Sequence, residues 1–68
     1  MTYYKPGQLV NVLEATSTFS LKYQQYIGIV IEHYTYTMNL LKVYNIRTQK
    51  IRQYDLDYLE ELFIKVLS

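Results

Sequence analysis

An all-β domain, a small barrel of about five antiparallel strands, is the fold class that this sequence predicts, and three observations point to it. The segment Tyr26-Ile27-Gly28-Ile29-Val30-Ile31-Glu32 reads as a central strand, with Ile27, Ile29 and Ile31 on one face at period two and β-branching that favours extended backbone. Turn signals divide the rest of the chain into short apolar runs rather than long helical stripes. Nine of the 68 residues are tyrosine, a strand former with an apolar ring and a polar tip, roughly three to four times ordinary usage.

Taken in order, residues 1–5 read as a flexible arm, and Pro6-Gly7 is a turn signal directly before a first strand that contains Leu9 or Val10 and then Val12. Residues 14–23 are rich in Ser and Thr and read as a loop pinned by Phe19 and Leu21 folding inward. The second strand runs from about Gln24 to His33 or Tyr34, long enough to bend across two sheets, with Gly28 as the bend point and a place where another backbone presses close. After a turn over residues 35–38, Asn39 to Asn45 makes a third strand with Leu41 and Val43 inward and Lys42 and Tyr44 outward. A three-residue connection, Arg47-Thr48-Gln49, lacks the Asn-Gly or Asp-Gly of the strongest hairpins. It leads to a fourth strand, Lys50 to Tyr54, with Ile51 inward between outward Lys50 and Arg52.

Residues 55–67 fit two patterns. Leu56, Leu59, Phe63 and Val66 or Leu67 make a helical stripe, with acids first and Lys65 last as a helix dipole favours. In the alternative, a 3₁₀ turn at residues 55–58 precedes a fifth strand in which Leu62, Ile64 and Val66 alternate. The turn and strand are favoured, because four strands need a fifth to close and Phe63, Ile64 and Val66 carry strand propensity.

Composition bounds the rest. Sixty-eight residues make a single domain near the lower limit for a core without staples, and no cysteine is present to supply disulfides or thiolate metal sites. The one histidine, His33, cannot build a zinc site alone. Packing must therefore hold the fold, with self-association as a possible aid. Seven Lys/Arg against six Asp/Glu give a net charge of +1, which exerts no global pull on nucleic acid or acidic membranes. The longest apolar run is far too short to span a bilayer, so the expectation is a protein without a membrane partner, in the cytoplasm.

The order of elements, with Lys5-Pro6-Gly7-Gln8-Leu9-Val10, Gly28-Ile29-Val30-Ile31-Glu32, Leu41-Lys42-Val43-Tyr44, Lys50-Ile51 and the closing Asp55-Leu56 and Leu59-Glu60, resembles an SH3-like small barrel over about residues 5–67. Small uncharacterised proteins of tailed bacteriophages, including cyanophages, are similar in these phrases. They often carry a glycine before the hairpin lysine, where this chain has Gln49. The resemblance implies a phage-encoded protein in the host cytoplasm or in the virion.

No residue pattern calls for catalysis or a cofactor. Glu32 and His33 are adjacent on a strand and point to opposite faces, and Asp55 and Asp57 lack the glycine and later glutamate of an EF-hand loop. The residues instead suggest a non-enzymatic protein-binding module. Tyr23 and Tyr26 at the loop end, with Tyr34 and Tyr36 at the turn, would form its contact surface for a host factor, a phage subunit or a second copy. The alternative is a nucleic-acid face on the hairpin, where Lys42, Arg47, Lys50 and Arg52 would neutralise phosphate while Tyr44 and Tyr54 stack bases.

Overall fold

The computed structural model describes residues 3–15, 23–58 and 62–68. They form five strands, β1 (Leu9–Ala15), β2 (Tyr23–Tyr34), β3 (Leu40–Asn45), β4 (Lys50–Asp55) and β5 (Leu62–Val66), in one antiparallel sheet of order β4-β3-β2-β1-β5. The C-terminal run is strand, paired with β1 from Val10↔Val66 to Glu14↔Leu62, and the helical stripe is not used. Phe19 and Leu21 lie outside the described residues. No helix among the described residues is long and apolar enough to cross a membrane.

The inner face of the curled sheet carries the core: Val10, Val12, Tyr26, Val30, Leu41, Val43 and Tyr54, with Tyr4, Leu56, Leu62 and Ile64 packed against it. Leu41 and Val43 point inward as their alternation requires. The isoleucines of β2 do not. Tyr26, Gly28 and Val30 face the core, while Ile27 and Ile31 are two-fifths exposed. Both faces of this strand are apolar, so period two alone did not say which one is inside. The packing of Gly28 decides it. A Cβ there would overlap Val43 Cγ1 and lie 2.9 Å from the Tyr44 carbonyl oxygen, so only glycine lets β3 approach this closely.

The irregularity in β2 comes three residues after Gly28, at Ile31. Val30 pairs with Val43 and Glu32 with Lys42, which leaves Ile31 as the extra residue of a bulge. The bulge resets the alternation, so Glu32 faces out and His33 faces in.

The β3–β4 hairpin also departs from its expected register. Asn45 pairs with Lys50, so residues 46–49 form a four-residue turn rather than three. The Asn45 side-chain oxygen accepts the backbone N–H of Arg47 (2.9 Å) and Thr48 (3.2 Å), and its carbonyl accepts that of Gln49 (2.8 Å). Gln49 then turns the chain with φ 61°. One extra residue flips every side chain of β4. Ile51 therefore faces outward and is 59% exposed, whereas Tyr54 points into the core and Lys50 and Arg52 share its face.

The arm expected to be loose is docked from Tyr3 onward. The Tyr4 amide donates to His33 Nδ1 at 3.0 Å, and the Tyr3 ring stacks on the imidazole with centroids 5.2 Å apart. Pro6-Gly7 forms the turn the sequence indicates, with Gln8 N–H bonded to the Lys5 carbonyl (3.1 Å) and Gly7 at φ 90°.

Two backbone positions test this packing. Gly28→Ala should cost about 2–3 kcal/mol of unfolding free energy, because its methyl meets the Tyr44 backbone and the fully buried Val43. Gln49→Gly should stabilise by about 1 kcal/mol, raising the melting temperature by roughly 4–8 °C, since it relieves a left-handed conformation. Urea and thermal melts of both variants check the two signs.

Candidate protein-binding surface

The expected contact residues divide between the two faces of the sheet. Tyr26 and Tyr54 are 6% and 3% exposed, so neither belongs to a surface. Their hydroxyl groups hydrogen-bond to each other inside the curl. Beside them Glu14, itself buried, holds Arg52 at 3.4 Å, and the Arg52 guanidinium lies 5.9 Å from the Tyr54 ring centroid. Burial pushes both phenols above their usual range. For Tyr54 the bond to Tyr26 and the charges of Tyr26 and Glu14 add to the rise, and Arg52 opposes it.

The basic hairpin is not one face either. Lys42 and Tyr44 project from the outer face of β3, while Lys50 and Arg52 take the opposite side of β4. Two of the cations are also paired, Lys42 with Glu32 (3.8 Å) and Arg52 with Glu14. Arg47 is on the exposed turn. The flip in β4 that undoes this arrangement originates in the Asn45-capped turn.

His33 is structural. It is 5% exposed, and with Nδ1 accepting from Tyr4 its Nε2 donates to Asn39 Oδ1 at 2.6 Å. The Asn39 amide nitrogen in turn donates to Asp57 (3.3 Å), and Asp55 accepts the Asp57 N–H (3.1 Å). The two aspartates thus serve the turn before β5.

The outer face presents a surface that the sequence reading did not assemble. Strand registers align Ile51, Tyr44, Ile29 and Leu9 in one row across four strands, and Gln25, Leu13 and Phe63 in another. Ile27 lies between the rows, and the Ile46 amide bonds to its carbonyl (3.3 Å). Ile27, Ile46, Ile51 and Phe63 are each about half exposed, and no described element covers them. Tyr23 and Tyr34 cap this face at the two ends of β2. They do not meet: eleven steps of about 3.3 Å put them up to roughly 36 Å apart along the strand. Next to Tyr34 is a shallow hollow of about 180 Å³ lined by Glu32, Tyr34, Leu40, Lys42 and Gln53. Tyr36, on the following turn, is 87% exposed.

No protein-family model, curated protein or solved structure matches the chain.

The tyrosine pair gives a test of the interior. Tyr54→Phe should cost about 1–2 kcal/mol by leaving the buried Tyr26 hydroxyl unpaired, while Tyr26→Phe/Tyr54→Phe should cost less than the sum of the single changes. Because the folded phenols hold their protons above the unfolded value of about 10, the unfolded state binds fewer protons at alkaline pH. Their contribution is complete below about pH 10 and is lost as pH rises beyond it, so the fold should weaken there and the double Phe variant should weaken less. Urea melts at about pH 7 and about pH 11 measure the difference.

Proposed function

We propose that this chain is a non-enzymatic SH3-like barrel that binds a protein partner through the outer face of its sheet. The observation that carries the reading is the apolar row Ile51-Tyr44-Ile29-Leu9, flanked by Ile27 and Phe63 and open on its outer side among the described residues. A domain of this size usually keeps its apolar side chains for its core, and a contiguous patch of this kind marks an interaction site.

The magnitudes suit a modest affinity. Each half-exposed Ile or Phe has roughly 1 kcal/mol of burial left to gain, so the five side chains Tyr23, Ile27, Ile46, Ile51 and Phe63 supply about 5 kcal/mol gross. That is close to the lower end of the association cost, about 4–15 kcal/mol, so the Tyr34 hollow and the Tyr44 hydroxyl must add polar contacts. The similarity to small tailed-phage proteins supports a host factor or a phage assembly subunit as the partner. Split cations and a buried Tyr54 weigh against the nucleic-acid alternative.

Affinity capture by the tagged protein from bacterial lysate, with and without nuclease, tests the reading. The captured protein should survive nuclease and be lost with Ile27→Ser/Ile51→Ser, while Arg47→Glu/Lys50→Glu leaves it in place. Loss on nuclease treatment, or loss only with the charge reversal, would transfer the function to the basic hairpin.

A further inference from the structure

Order β4-β3-β2-β1-β5 leaves two strand edges, and the two differ in kind. On β4, Lys50, Arg52 and Asp55 place charges along the edge, a pattern that discourages pairing with another chain. β5 reads Leu62-Phe63-Ile64-Lys65-Val66, with a single charge and apolar side chains on both faces. Phe63 is 58% exposed on the outer face and Val66 39% on the inner, while Leu62 and Ile64 are only half-buried against the core.

The backbone of this edge is also open. Leu67 N–H bonds to the Leu9 carbonyl at 2.8 Å, so the alternate residues Lys65 and Phe63 direct their N–H and C=O groups toward β1. Leu62, Ile64 and Val66 direct theirs away from it. Among the described residues, no strand pairs with that side.

We infer that a second copy of this chain pairs along β5, antiparallel about Ile64, so that two five-stranded sheets join into one across a two-fold axis. Three conditions narrow the register, and pairing of the whole strand then fixes it. Side chains opposite one another must share a face, the residues with outward backbone groups must oppose each other, and like charges must not meet. Centring on Ile64 satisfies all three and pairs every residue of the strand. Leu62 opposes Val66, Ile64 opposes itself, and each Lys65 lies across from Phe63 of the second copy, a cation beside an aromatic ring. Centring on Lys65 would set the two ammonium groups face to face. The pairing covers the exposed parts of Leu62, Phe63, Ile64 and Val66 and satisfies the free N–H and C=O groups of the edge. It shares Phe63 with the flank of the proposed partner surface but leaves the row Ile51-Tyr44-Ile29-Leu9 uncovered, so the dimer can fail while the partner surface stands.

Sedimentation velocity on the full chain from about 10 µM to about 1 mM tests the inference, with circular dichroism confirming that each variant is folded. The unmodified chain should pass from monomer to dimer over this range. Phe63→Lys, which sets an ammonium opposite Lys65 of the second copy, should weaken the dimer about tenfold or more. Phe63→Glu, which sets a carboxylate there, should keep or tighten it, and Phe63→Lys/Lys65→Glu should restore it. A chain that stays monomeric throughout would overturn the inference. So would equal weakening by Phe63→Lys and Phe63→Glu, which would mean that the ring packs by its apolar surface alone.

Discussion

Strands β4 and β5 do not pair, so among the described residues no closed ladder of backbone hydrogen bonds holds this sheet in its curl. The ends are held across the inner face by side chains. The Tyr26 and Tyr54 hydroxyls meet between β2 and β4, and Glu14 of β1 reaches Arg52 of β4. Around them lie Val10, Val12, Val30, Leu41 and Val43, all but fully buried. Two phenol groups in the core are stable only as a pair, because either hydroxyl alone would be an unpaired buried polar group. Everything on the outer face depends on this inner arrangement, since the residue that points in at one position determines which one points out at the next.

The consequence for function is a division of labour among the aromatic residues. Tyr26 and Tyr54 are spent on the interior, Tyr3 and Tyr4 on packing around His33, and Tyr23, Tyr34 and Tyr36 stay at the surface. The outer face of the sheet then carries Ile27, Ile29 and Ile51, while Ile64 packs against the core. A core built from valine, leucine and paired tyrosine leaves Ile27, Ile29 and Ile51 available for contact. The inner face has little room for larger side chains where Gly28 brings β2 and β3 together.

Much of the architecture was legible in the residues. Pro6-Gly7, the inward Leu41 and Val43, the long second strand and the strand character of residues 62–66 all follow from turn chemistry and alternation. Orientation was legible only where one face of a strand is polar. In β2 both faces are apolar, and the choice rests on a Gly28 approach and an Ile31 bulge that are tertiary features. In β4 the orientation depends on the length of the preceding turn. Asn45 was the available signal, since its side chain caps a turn from the position before it, and the Gln49 in place of glycine marks the left-handed residue. The candidate site moved for the same reason: with the flip Tyr54 went into the core and Arg52 onto the inner side of β4, where it stays exposed, and Ile51 came out.

The most direct test of the account is a solution NMR measurement of side-chain proximities, on a sample labelled at tyrosine and isoleucine. Cross-peaks between the Tyr26 and Tyr54 rings, together with cross-peaks from Ile51 to Tyr44, are the expected result. Cross-peaks that join Ile51 to Tyr26, with Tyr54 free of the interior, would restore the three-residue hairpin. That result would contradict both the tyrosine-held curl and the apolar outer face.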